Sequence, residues 1–187
     1  MKRELQIFRD GDRRNEFLIE PLHPGEQGNL QTVRLMAEIA RQDAAMPDIR
    51  AFVNREIVRS VSGFDDKGEV AACFEFCRDQ IRYRKDPANV ERVADLWSAM
   101  YALNTEDPEG DCGIKSLALL TCLGAIGYKP FLVVVKQKVR ATAFNHVYCG
   151  LMLNNQYHAL DPTPEEFVAG EEVQFWERKK FLVFADS

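Results

Sequence analysis

The sequence predicts an α+β chain, helical through most of its first two thirds and strand-rich after residue 130. Apolar residues recur at helical spacing from Leu30 to Ala40, from Ile49 to Val61 and from Val70 to Ile81. Cys112 to Ile126 carries a broad apolar face, whereas Phe131 to Asp161 reads as β-branched and alternating runs around Asn154-Asn155. At 187 residues the chain fits one domain spanning 1–187, in which 1–65 supply an N-terminal hairpin and helices and 66–187 the core that carries chemistry.

In chain order, Leu5 to Leu22 predicts a hairpin around the turn signal Asp10-Gly11-Asp12. Pro21 to Asn29 reads as a loop, followed by a helix from Leu30 to about Asp43. Pro47 starts a second helix with Ile49, Phe52, Val53, Ile57 and Val61 on one face. Gly63 to Gly68 breaks the pattern, and a third helix runs from about Glu69 with Cys73 and Cys77 sharing a face. Tyr83 to Pro87 is extended, Val93 to Leu103 helical, and Asn104 to Glu109 a polar loop. Asp111 is placed to cap a helix from Cys112 to about Ile126, which Gly127 ends. Phe131 to Val135 is a buried strand, and Phe144 to Leu153 pairs with Gln156 to Asp161 across Asn154-Asn155. The tail, with Phe167, Phe175, Trp176, Phe181 and Phe184, reads as a strand or helix closing the core.

A net charge of −5, with Lys and Arg spread along the chain, argues against a nucleic-acid partner. Met1-Lys2-Arg3 leads into a mixed segment and not into an apolar signal core, and no run reaches membrane-span length. The five cysteines are odd in number and fall mostly inside periodic segments, so the expectation is a reduced, cytoplasmic protein without membrane association. Cys73 and Cys77 at C-x-x-x-C spacing, with no second close pair, read as core and not as a zinc site; no metal or cofactor is expected.

The chemistry concentrates in three places: Glu109-Gly110-Asp111-Cys112-Gly113 at a helix start, His146 in a strand, and Asp161-Pro162-Thr163 at a strand end. Thiolate is the attacking form of cysteine, and a helix start or a nearby imidazolium lowers the thiol pKa. If Leu153 faces Gln156, Asp161 lies opposite Tyr148 and diagonal to His146, roughly 7 to 8 Å away between Cα atoms and within side-chain reach. The same parity puts His158 on the other face. Taken singly, a helix-start cysteine, a strand histidine and an Asp-Pro step are commonplace; their joint placement is less so.

Ile81-Arg82-Tyr83, Gly110-Asp111-Cys112 with Leu117, Leu119-Leu120 and Leu123, Gly127-Tyr128-Lys129-Pro130, His146-Val147-Tyr148 and Leu160-Asp161-Pro162-Thr163 together resemble the transglutaminase-like cysteine protease superfamily. The resemblance covers about Val70 to Thr163, and Thr32 to Asp86 resembles more loosely the transglutaminase-like proteins of tailed phages and prophages. It implies a papain-like arrangement in which the cysteine helix packs on an antiparallel sheet carrying His146 and Asp161. It also implies Cys112 as nucleophile, His146 as general base and acid, and Asp161 as the group orienting the imidazole. An amide or ester of a protein or peptide would be attacked to give an acyl-enzyme, resolved by water or an amine. The backbone N–H of Cys112 is one oxyanion donor in this scheme; Gln80, Tyr83 and Trp97 are considered for the second, and none is assigned.

The chain departs from the pattern at Gly113-Ile114-Lys115-Ser116, where acidic residues commonly follow the cysteine, and at Glu91-Arg92-Val93, which leads into Ala94-Asp95-Leu96 without a proline. Both departures bear on substrate binding. The alternative is a non-catalytic phage structural or morphogenesis protein on the same fold, with other phage proteins as partners and a place in the virion or the host cytoplasm. The aromatic tail would then be a docking surface.

Overall fold

The computed structural model describes residues 3–10, 16–102 and 108–184. The chain is α+β. Strands β1 (Arg3–Arg9) and β2 (Glu16–Leu22) form the expected hairpin, whose turn signal lies mostly outside the described residues. Helices α1 (Gly25–Ala44) and α2 (Pro47–Phe52) follow, α2 running into a wide π-type turn, Val53–Ile57. Next come α3 (Asp66–Gln80), β3 (Arg82–Tyr83) and β4 (Val90–Ala94), with a further wide turn at Ser98–Ala102. The second half holds β5 (Glu109–Gly110), α4 (Cys112–Ala125), β6 (Phe131–Lys136), β7 (His146–Leu153), β8 (Gln156–Leu160) and β9 (Glu177–Leu182).

The strands form three sheets with orders β2-β1-β4, β3-β5 and β8-β7-β6-β9, the last antiparallel throughout. Helix α4 lies against the inner face of that four-stranded sheet and is flanked by α1 and α3. Its side chains are apolar nearly all round, as a central helix requires. One buried cluster runs from Leu5 and Ile7 through α1, α3 and α4 to Leu160 and Val183. The outer sheet face buries a smaller set, Phe131, Val133, Val135, Tyr148 and Ala159.

Three expectations are corrected, and the tail takes one of the two forms expected of it, a strand. Helix α1 starts at Gly25, not near Leu30, because Gly28 fits where a Cβ would meet the His23 carbonyl, so a residue of poor helix propensity is kept by packing. Helix α3 starts at Asp66, since Asp65 caps it by accepting the Gly68 N–H. Val93 and Ala94 belong to a strand, not to a helix: β4 pairs in parallel with β1, Glu4 opposite Val90 and Phe8 opposite Ala94, and tertiary pairing overrides the local pattern. In the tail, β9 joins the edge of β6, and Phe181 and Phe184 pack on the core, while Trp176 stays 68% exposed.

Candidate active site

The residues singled out by sequence meet where α4 begins and β7 begins. Asp111 caps α4, accepting the N–H groups of Gly113 (2.9 Å) and Ile114 (3.1 Å), and so places Cys112 in the first turn. The approach to that turn is also fixed. β3 runs in parallel beside β5, with Arg82 N–H donating to the Pro108 carbonyl and Arg84 N–H to that of Gly110, both at 2.9 Å. The buried Glu109 carboxylate receives both Arg82 (3.0 Å) and Arg84. One turn further on, Ser116 donates its hydroxyl to the Val147 carbonyl (3.0 Å), stitching α4 to β7.

Strand pairing follows the expected register: Leu153 faces Gln156, Leu151 faces His158 and Cys149 faces Leu160, with Asn154 and Asn155 both at positive φ. Asp161 thereby comes beside His146, and its Oδ2 lies 2.7 Å from the imidazole Nε2. Its Oδ1 accepts the Thr163 N–H at 3.1 Å, so a fully buried carboxylate is held at both oxygens. His158 is on the opposite face, away from this pair.

Cys112 and His146 line one pocket of about 300 Å³. Its other walls come from α1 (Asn29, Thr32, Val33, Met36), from Arg3 and Glu91 on the paired strands β1 and β4, and from the segment leading into β7. Asn29 donates its side-chain amide to the Phe144 carbonyl, joining two of these walls. Arg3 and Glu91 form a loose ion pair at 3.7 Å. Apart from Glu91, which enters the sequence reading only within a departure that bears on substrate binding, none of these wall residues is singled out by the sequence. Arg3 and Glu91 reach the pocket only through the parallel β1–β4 pairing, which has no local signature, and Asn29 falls in a stretch that reads as a loop.

Among the described residues, no hydrogen bond joins the Cys112 thiol to His146; the thiol instead neighbours the backbone N–H of Val147. The expected depression of the thiol pKa is reversed. Burial pushes the Cys112 thiol well up, and the carboxylates of Asp111, Glu91 and Asp161 push the same way, opposed by that N–H. Two N–H groups of the helix start, those of Gly113 and Ile114, which would have favoured a thiolate, are already engaged by Asp111. Asp111 itself is pushed up to about 7 by burial and by the charges of Asp86 and Glu91, and Glu91 to about 6 by burial and Asp86.

Of the three side chains considered as second oxyanion donor, Gln80 is exposed at the end of α3, and Trp97 donates its indole N–H to Asp48 at 3.2 Å, outside the pocket. Tyr83, at the end of β3, is exposed and is not among the pocket's lining residues; burial raises its hydroxyl pKa first, and Cys112 and Asp111 raise it further. Cys73 and Cys77 are buried core residues on α3. The described residues contain no group of three or more His, Cys, Asp or Glu arranged to hold a metal ion, and no helix among them is long and apolar enough to cross a membrane.

No family model and no curated protein matches this chain. In structure it is similar to a candidate protease from Parabacteroides distasonis, at 12% identity and a TM-score of 0.47, over 79% of this chain and 28% of that one. It is also similar to a candidate cysteine protease from Cytophaga hutchinsonii, at 9% identity and a TM-score of 0.46, over 75% of this chain and 52% of the other. The chain thus spans about a quarter to a half of the length of these proteins. Likenesses this distant carry no functional argument, and the reading of the site rests on its own geometry.

Proposed function

We propose that the protein is a cysteine acyl-transfer or amide-hydrolysis enzyme of the transglutaminase-like type, with Cys112 as nucleophile, His146 as base and acid, and Asp161 as the group that orients the imidazole. The single observation that carries this reading is the buried 2.7 Å His146–Asp161 pair opening onto the pocket that Cys112 lines. With Nε2–H donated to Asp161, Nδ1 is the basic nitrogen left to take a proton. Because burial holds the Cys112 thiol protonated, the proton moves to Nδ1 as sulfur attacks the substrate carbonyl, and the ion pair need not be formed beforehand. The C–S bond forms, the tetrahedral oxyanion is met by the Cys112 backbone N–H, and the imidazolium returns the proton to the leaving amine or alkoxide. Water or a second amine then attacks the thioester, giving its proton to His146, and the thiol is regenerated.

An activated ester tests this capacity without knowledge of the natural substrate. Incubation with p-nitrophenyl acetate, followed by peptide mass spectrometry, is expected to show acetyl-Cys112 and release of p-nitrophenolate. His146→Ala should lower the acylation rate by about 100-fold or more. Cys112→Ala should form no such adduct and show no turnover above background while keeping the wild-type circular dichroism. Equal ester turnover in Cys112→Ala sinks the mechanism. A wild type that never acylates favours the second reading, a structural protein with an idle triad, which the raised thiol and its missing bond to His146 support.

A further inference from the structure

The mechanism leaves one buried charge on the nucleophile helix unused. Lys115, one turn after Cys112, is 0% exposed, a rare situation for a lysine. Its ammonium donates to the backbone carbonyl of Arg78 at 2.8 Å and to that of Ile81 at 2.6 Å. Arg78 lies in the last turn of α3 and Ile81 is its C-cap, so the cation satisfies carbonyls the helix leaves open, at the negative end of its dipole. Burial pulls the lysine pKa down, while the neighbouring Cys77, Glu165, Asp79 and Asp161 favour its charged form. The following residue, Arg82, begins β3, which is bonded to the β5 segment entering Cys112. Lys115 therefore closes a ring: from α4 to the end of α3, along β3, across to β5 and back to the first turn of α4.

We propose that Lys115 is a positioning residue of this site, its buried ammonium locking the first turn of α4 to the Arg78 and Ile81 carbonyls and so holding the Cys112 thiol and N–H in place beside β7. The proposal rests on the reading of Cys112 as the working thiol. The next residue, Ser116, ties α4 to β7 from the other side, so the start of the helix is held between two anchors. Without the Lys115 anchor, α4 keeps its packed length, but its first turn is free to open locally.

The five cysteines supply the test, because four of them are buried probes of the rest of the fold. Iodoacetamide labelling with peptide mass spectrometry is followed at each cysteine in the wild type, Lys115→Met and Lys115→Arg. In Lys115→Met, Cys112 is expected to label about tenfold faster, while Cys73, Cys122 and Cys149 stay as protected as in the wild type. Acylation by p-nitrophenyl acetate should move the opposite way, falling about tenfold, because a looser thiol is easier to reach yet misplaced for proton transfer. Lys115→Arg, which keeps a cation with several donors, should recover most of both effects.

An unchanged Cys112 rate in Lys115→Met overturns the proposal, and so does a rise at Cys112 shared by Cys73, Cys122 and Cys149, which would mark a purely global role. If Lys115→Met does not fold, Lys115→Gln, retaining one amide donor group, is read the same way. Failure of both neutral variants to fold, with Lys115→Arg folding, also assigns the lysine to global stability and overturns the proposal. A wild type inert toward the ester would count against the proposed reaction alone, since the labelling comparison does not depend on turnover.

Discussion

At the scale of single residues, the site is built around Asp161. Its two oxygens have separate tasks, one on His146 Nε2 and one on the Thr163 N–H, so the Asp-Pro-Thr step fixes the carboxylate before it fixes the ring. Replacing Asp161 by Asn keeps the size and the Thr163 contact but lets the amide turn an N–H toward the imidazole. That would favour the tautomer with its proton on Nδ1, the nitrogen needed as base. Ester acylation is therefore expected to fall by about 10² to 10⁴ in Asp161→Asn, with the thermal midpoint within a few degrees of wild type. A loss smaller than tenfold would mean that the buried pair does not set the tautomer. The placement of His146 beside Asp161, and of Cys112 at the start of α4, was legible because each sits on a strongly patterned element and one arithmetic rule of strand pairing relates two of them. The pocket walls were not, since Arg3, Glu91 and Asn29 converge from segments far apart in sequence.

At the scale of elements, α4 shows both what sequence discloses and what it hides. The Asp111 cap, the Cys112 start and the stop at Gly127, with φ of +97°, were all readable, as was the register around Asn154-Asn155. What stayed hidden was the electrostatic result of the cap. Asp111 satisfies the helix start but sets a carboxylate beside the thiol, which raises the Cys112 pKa with burial. Asp111→Asn separates the two roles, because asparagine caps about as well as aspartate and carries no charge. The expected outcome is a fold stable to within about 0.5 kcal/mol of wild type near pH 4, where Asp111 is itself neutral, a gain over wild type as pH rises, and a Cys112 alkylation profile shifted to lower pH. An unshifted profile would leave burial and the charges of Glu91 and Asp161 responsible. By contrast, the helix expected over Val93 to Leu103 takes in Val93 and Ala94, the end of β4, and only the β1 edge supplies the partner that makes these two residues strand.

At the scale of the whole molecule, buried acids set how stability varies with pH. Asp43, on the core face of α1, is pushed up to about 7 by burial and by Asp95, although Arg9 reaches it at 3.3 Å; its Oδ2 has no hydrogen-bond partner. Asp111 at about 7 and Glu91 at about 6 behave alike. An acid whose folded pKa is raised binds more protons when folded than when unfolded, so its stabilising contribution is complete below its unfolded pKa and is lost as pH rises through the folded value. For these three groups the loss falls between about pH 4 and pH 7. The opposite limb comes from Glu109: burial raises its pKa, but the hydrogen bonds and charges of Arg84 and Arg82 together outweigh burial and hold it below the usual range. That contribution is lost only as pH falls through the acid end. Stability measured by urea unfolding is thus expected to peak on the acid side of neutrality and to decline by pH 8. Asp43→Asn, which removes a buried charge that must ionise, should be more stable than wild type by about 1 to 3 kcal/mol at pH 8, should lose most of that advantage at pH 5, and should flatten the decline between them. A variant less stable than wild type at pH 8 would show instead that the Arg9 pairing outweighs the burial of the Asp43 charge.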